Sequence, residues 1–280
     1  MTEIWAKLVG APDDGLDYWG YWGVRMVEHA EINPGAEVLD SGTGDTGSSL
    51  FPAAEKVGEE GRVVGIDICK HCVGEAILGV KKRGVKNAFI SEMNAEKMGF
   101  EDTSFDFVLA GFMGWDYCYD FQRGEFTAPD TRMAEIFRVI KDGGRVVMCT
   151  WEKQSDIEWM RDEFSRHLPG YVADHEKAEG ELPLVYSKET SDGYREILKS
   201  AGFKDIEIIP EEETFVNTDE EAWWEMMGRV GWQRHFEKAE EMGDDKLSGF
   251  KAAVFEDLQS RKHDDGIHFT KAVAFAMGRK

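Results

Sequence analysis

One turn in the chain has the residues to hold a charged small ligand. Val38-Leu39-Asp40-Ser41-Gly42-Thr43-Gly44-Asp45-Thr46-Gly47 closes an apolar run, turns on glycines and leads into a helical pattern. Glycines at such a place let the backbone take positive φ and approach a bound group closely. The following helix start offers free N–H groups to a negative one. Two ligands compete for this turn. Gly42 to Gly47 fits G-x-G-x-x-G, and Asp67 follows Gly47 by 20 residues, which is the dinucleotide pattern. Asp40, however, is an acid at the strand tip ahead of the glycines. It would oppose a pyrophosphate and suit the amino group of an amino-acid ligand, as in S-adenosylmethionine (SAM). In either reading Asp67, ending the second strand, accepts hydrogen bonds from ribose hydroxyls. A plain glycine turn explains the two acids poorly, because unpaired buried carboxylates are costly.

Other groups are less decisive. Tyr18, Trp19, Tyr21 and Trp22 precede the first strand and are expected to fold over a pocket beyond the carboxyl ends of the strands. Trp115, Asp116 and Tyr117 follow the fourth strand and belong to the same rim. Packing of an N-terminal helix is the competing use of the first four. No general base stands out, since the histidines are scattered. Cys69-Lys70-His71-Cys72 has a metal-like spacing, but a closed zinc site needs four ligands and Cys118 and Cys149 make no second close pair. No metal is expected.

The elements that must position these residues are readable from periodicity. Apolar residues recur at helical spacing in Val73, Ala76, Ile77, Val80, in Met133, Ile136, Phe137, Ile140, in Tyr194, Ile197, Leu198, Ala201, and in Leu247, Phe250, Val254, Leu258. A further helix starts near Ser48, with Pro52 in its first turn, where proline is tolerated. Strands are expected at 37–40, 62–67, 87–90, 105–111, 145–151, 205–209 and 268–277. Several are near-continuous apolar runs, which suits strands covered on both faces. The alternation implies an α/β, doubly wound, Rossmann-like seven-stranded sheet, mostly parallel with the last strand antiparallel, plus helical additions.

Residues 1–280 read as a single domain. Residues 1–33 form an aromatic lid, and 152–190 and the acidic, helical 211–265 are additions on the acceptor side. The chain carries 33 Lys and Arg against 55 Asp and Glu, a formal net charge of −22. That charge repels phosphate backbones and anionic membranes, so no nucleic-acid partner is expected. No run is long enough to span a bilayer, the N-terminus lacks a signal-like apolar core, and four cysteines make no disulfide framework. A reduced, cytoplasmic protein is the expectation, and its oligomeric state stays open.

The ordered motifs resemble those of class I SAM-dependent methyltransferases, in particular the branch of ubiquinone and menaquinone biosynthesis. Glu37–Gly44 resembles the first motif and Val64–Ile68 the second-strand motif. Met93-Asn94-Ala95-Glu96 with Ser104–Val108 resembles the adenine turn and fourth strand. Ile136–Arg145 resembles the entry to the fifth strand and Leu198–Phe203 the approach to the sixth. The resemblance implies methyl transfer by in-line displacement from SAM to a small, apolar or aromatic acceptor, leaving S-adenosylhomocysteine (SAH). It implies a cofactor set of Asp40, Ser41, Gly42, Thr43, Gly44, Asp67, Ile68, Asn94, Ala95 and Gly111. Asp40 and the glycine turn would hold the methionyl part, Asp67 the ribose, and Asn94 and Ala95 the adenine. The chain departs from the pattern at Thr46, where a third glycine is usual, at Asn94, where Asp is usual, and after the fourth strand, where paired histidines are often found. A non-catalytic SAM-binding module and an NAD(P)-dependent oxidoreductase are the alternatives.

Overall fold

The computed structural model describes residues 18–168, 189–230 and 232–280. Residues 1–17 of the expected lid and 169–188 of the expected 152–190 addition lie outside the described residues. In chain order the elements are α1 (Tyr18–Ala30), β1 (Glu37–Ser41), α2 (Leu50–Val57), β2 (Arg62–Asp67), α3 (Lys70–Arg83), β3 (Ala88–Glu92), β4 (Phe105–Gly111), the short hairpin β5 (Tyr119–Asp120) and β6 (Glu125–Phe126), α4 (Thr131–Val139) and β7 (Ile140–Gln154). There follow α5 (Ser155–His167), α6 (Ser191–Ser200), β8 (Lys204–Asn217), α7 (Glu220–Val230), α8 (Gln233–Glu241), α9 (Asp244–Leu258), β9 (Lys262–His263) and β10 (Gly266–Arg279).

The main sheet runs β3-β2-β1-β4-β7-β10-β8, with β9 added to β10. Strands β3, β2, β1, β4 and β7 pair in parallel. Strand β10 is antiparallel to both β7 and β8, as expected for the last strand. The inner strands are Val- and Leu-rich because both faces are covered. On one face lie α1, α2, α5 and α7 to α9, with Trp22, Leu50 and Phe275 in the core. On the other lie α4 and α6, with Met133, Ile136 and Tyr194. β1 has β2 on one side and β4 on the other. Their connections leave in opposite directions, so a crevice opens outside the carboxyl ends of β1 and β4.

Helix starts follow local chemistry. Asp130 accepts the Met133 N–H to cap α4, and Thr190 accepts the Gly193 N–H to cap α6. Gly84 closes α3 in the left-handed region.

One expected boundary changes. Residues 211–217 are not part of a helical addition; they continue β8, paired with β10 along its length. The acids there conceal a strand. Glu211 accepts from Arg25 and His29, and Glu213 from Tyr21, so alternate side chains grip α1. The helices of that segment start only at Glu220.

Candidate functional site

At the tip of β1 the chain turns back over β2. The N–H groups of Gly42 and Thr43 both donate to the Ile66 carbonyl, at 2.9 and 3.0 Å. Gly42 and Gly44 take φ of +73° and +65°, values that side chains disfavour. A Cβ on Gly42 would lie 2.9 Å from the Met113 side chain, whereas one on Gly44 would meet nothing within 4 Å. The turn therefore packs tightly on one side and is open at Gly44.

Asp40 is wholly buried. One carboxylate oxygen accepts from Thr43 Oγ1 at 2.7 Å and the other from Ser49 Oγ at 2.6 Å. Its acid thus ties the turn to the start of α2. Burial pushes its pKa up to about 6, against the lowering effect of the two hydroxyls, and the nearby Asp67 charge adds to the rise. In the unfolded chain this acid ionises near its ordinary value, so the folded form binds more protons across the window between. The stabilisation it gives when protonated is lost as pH rises from about 4 to about 6, an effect of about 3 kcal/mol for a shift of this size. The variant Asp40→Asn should lack this component. Its unfolding free energy, measured in urea from pH 4 to 8, should gain on the wild type through that window and run parallel above it.

Asp67 is placed differently. It is half-buried at the end of β2. One oxygen accepts the Gly44 N–H at 3.0 Å and the other the Cys69 N–H at 2.8 Å. Each oxygen keeps a lone pair for a further donor, so the carboxylate can receive a vicinal diol. Ile68 follows with 69% of its surface exposed, an apolar ledge for a flat ring. Asn94 is exposed, and its Oδ1 accepts the Glu96 N–H at 2.9 Å. That bond takes one lone pair of the amide oxygen and leaves the other for a further donor. Ala95 is buried beside it. Ser41 is buried with its Oγ unpartnered. Gly111 ends β4, where an added Cβ would lie 3.2 Å from Met26. Glycine backbone at an open turn, a carboxylate with free lone pairs, an exposed apolar side chain and an orphaned hydroxyl thus stand at the carboxyl ends of β1 and β2.

Next to it, beyond β4 and β7, is a cavity of about 750 Å³. Phe112, at a φ of +54°, stacks on Trp151 with ring centres 4.4 Å apart. A non-glycine residue in this region stores strain, and here it directs the aromatic into the cavity wall. Of the aromatic residues expected at the acceptor pocket, Tyr18 and Trp19 line the cavity, as does Asp116. Tyr21, Trp22, Trp115 and Tyr117 do not. Trp22 is wholly buried between Phe215 and Phe275, because Tyr18, Trp22 and Met26 recur every four residues and put α1 into the core. Tyr21 packs edge-on to Phe215. Arg132 binds the carbonyls of Met113 and Gly114 and covers the rings of Trp115 and Tyr117, which holds both on the α4 side.

The cavity also gathers residues that the sequence did not single out. Glu189 accepts the Trp115 N–H at 2.7 Å, the Tyr194 hydroxyl at 2.6 Å and the Thr150 hydroxyl. Lys271, on β10, gives both Asp156 oxygens a hydrogen bond at 2.7 Å. Its ammonium lies 4.2 Å from the Tyr18 ring centre. Burial lowers the Lys271 pKa, and Asp156 opposes the fall. Met226 and Met227 from α7, with Trp232 and His235, close the far side. The only signal for Lys271 was a lone charge inside an apolar strand. Nothing in the spacing marked Glu189. Among the described residues no helix is long and apolar enough to cross a membrane.

Known proteins are similar to this chain. The chain is similar to the aklanonic acid methyltransferase of Streptomyces sp. (strain C5), at 42% identity over 58% of this chain and 69% of that one. It is 29% identical to a demethylmenaquinone methyltransferase of Geobacillus stearothermophilus over 68% of this chain and 80% of that one. The YcgJ protein of Bacillus subtilis shares the fold, with a TM-score of 0.53 and 17% identity over 93% of this chain and 99% of that one. A family model described as a methyltransferase domain matches residues 32–202, more than half of the chain, and the chain belongs to that family as a SAM-dependent methyltransferase.

Proposed function

We propose that the protein methylates a planar, largely apolar small molecule held in the cavity beyond β4 and β7. The cavity itself carries this reading. Its volume of about 750 Å³ and its lining by Trp19, Phe112, Phe121, Trp151, Met226 and Met227 suit a fused or substituted aromatic body. Two of the similar proteins are named for aklanonic acid and demethylmenaquinone, which is in keeping with a quinone-like acceptor.

When bound, SAM supplies a methyl group on a positively charged sulfur. The chain's own contribution is placement. Asp67 holds the ribose diol, Ile68 and the Asn94-Ala95 turn flank the adenine, and the open turn at Gly44 receives the methionyl end. Asp40 fixes that turn from beneath and touches Thr43 and Ser49 rather than solvent. The aromatic wall would align the acceptor and exclude water, an effect of proximity and orientation. Asp116 and Glu189 are the carboxylates nearest the turn from β4 that line the cavity, and either could take a proton from an acceptor hydroxyl.

The test is to incubate the purified protein with SAM and a panel of reduced naphthoquinones, flavonoid-like phenols and small polar amines. The expected result is SAH formation, with a 14 Da mass gain confined to the planar aromatic members. Methylation confined to the polar amines would defeat the acceptor reading. SAH binding without transfer to any acceptor would favour a regulatory SAM-binding module.

A further inference from the structure

The pair Cys69 and Cys72 remains unused by methyl transfer, yet it stands directly beside the ribose site. Cys69 is the N-cap of α3 and lies outside helical geometry, at φ −78° and ψ 105°. Its sulfur folds over the first turn and accepts the Cys72 N–H at 3.3 Å. Its own N–H holds one oxygen of Asp67 at 2.8 Å. Both thiols are partly exposed, whereas Cys118 and Cys149 are buried. Two exchange-competent thiols thus lie one helical turn apart, and the other two are shielded.

We propose that Cys69 and Cys72 form a reversible dithiol–disulfide centre, reacting with small-molecule disulfides and controlling cofactor affinity through Asp67. The link to affinity rests on the SAM reading of the site; the thiol chemistry does not. Cys69 is the attacking thiol. The Cys72 thiol and the Cys72 and His71 N–H groups favour its thiolate and lower its pKa against burial and the Asp67 charge, while the Cys72 thiol is pushed up to about 12. The Cys69 thiolate attacks one sulfur of the small disulfide and expels a thiolate, giving a mixed disulfide. Cys72 then loses its proton to solvent, attacks the Cys69 sulfur and expels the second thiolate. The balance is two protein thiols and one small disulfide converted to one protein disulfide and two small thiols, with two electrons leaving the protein.

The consequence follows from geometry. In the reduced form the Cys69 sulfur accepts the Cys72 N–H at 3.3 Å, whereas in a disulfide it is bonded to the Cys72 sulfur with the two Cβ atoms about 3.5–4.5 Å apart. Closing the bond must tighten the first turn of α3. Cys69 is the residue that moves, since it is the half-free cap, and its N–H is the one that orients Asp67. The oxidised form should therefore hold the ribose diol less well.

The experiment equilibrates the whole protein with oxidised or reduced glutathione. Peptide-mapping mass spectrometry reads the disulfide, and calorimetry reads SAH affinity. The expected result is a 2 Da loss confined to the Cys69–Cys72 peptide and SAH affinity at least tenfold weaker, restored by dithiothreitol. The variant Cys72→Ser, reduced, should bind SAH as the wild type does, and on oxidation should stop at a glutathione adduct. Lack of the 2 Da loss, or equal SAH affinity in both states, would overturn the proposal. Failure of the fully reduced protein to bind SAH would instead overturn the cofactor reading, together with the affinity half of the proposal.

Discussion

Asp67→Ala should abolish tight SAH binding, lowering affinity by about 100- to 10,000-fold. In the proposed site the carboxylate accepts both ribose hydroxyls, and hydrogen bonds to a charged group contribute about 1.5–3 kcal/mol each. Two such bonds correspond to between two and four decades of affinity, with each 1.4 kcal/mol worth tenfold. The side chain also holds the Gly44 and Cys69 N–H groups. Its removal loosens the open turn as well as the ribose contact, so the loss should lie within this range rather than below it. Asp67→Asn keeps the shape but only one acceptor oxygen, and should fall between wild type and Ala. Calorimetric titration with SAH decides it, with thermal melting to confirm that each variant is folded. Affinity within threefold of the wild type in Asp67→Ala would mean that the ribose is held elsewhere. Fold stability should change little, because the group is half-buried and its partners can turn to water.

Asp156→Ala should cost the fold about 3–5 kcal/mol, the loss expected when one partner of a buried ion pair is removed. Lys271 is 2% exposed and Asp156 is wholly buried, so water cannot replace the lost carboxylate. Against a total stability of about 5–15 kcal/mol for an ordinary domain, this is a large fraction. The pH dependence has a definite sign. Burial already lowers the Lys271 pKa, and without Asp156 it falls further. The unfolded variant then binds a proton that the folded one has shed, so its stability rises with pH. The deficit relative to the wild type should therefore shrink as pH climbs toward 10. The double variant Asp156→Leu with Lys271→Met removes both charges and should recover most of the loss, since buried pairs are often replaceable by well-packed apolar groups. Urea unfolding of the three proteins at pH 7 and pH 9 tests this. A single variant no less stable than the wild type would show that Lys271 reaches solvent or another acid. The double variant also separates structure from function, because Lys271 and Asp156 both line the cavity.

The cofactor side of the site was legible because it depends on residues close in sequence. Strand, glycine turn and helix follow one another from Val38 to Val57. Positive φ at Gly42 and Gly44, and the hydroxyls of Thr43 and Ser49 on Asp40, are satisfied within a dozen residues. Asp67 and Ile68 were placed by the end of an unambiguous apolar strand. The parallel sheet was legible for the same reason: a run buried on both faces leaves few polar positions to misread.

The cavity was legible only in Tyr18, Trp19 and Asp116, and the misreadings have physical causes. Glu211 and Glu213 look solvated in sequence, but their partners Arg25, His29 and Tyr21 lie more than 180 residues earlier, so a strand passed for part of an acidic helical segment. Trp19 and Trp22 stand three residues apart on α1, so their directions differ by about 60°, and one is sealed in the core while the other lines the cavity. Trp115 and Tyr117 were drawn from the rim by Arg132, whose position depends on how α4 packs. Lys271 showed only as a misplaced charge, because Asp156 is 115 residues away. The sequence alone thus determined the sheet, the glycine turn and the place of Asp67 beside it, since backbone conformation and burial pattern are set by neighbours within a few residues. Only the tertiary structure decided which aromatics face the acceptor and which charges are paired, because those outcomes depend on contacts that the chain makes after it has closed on itself.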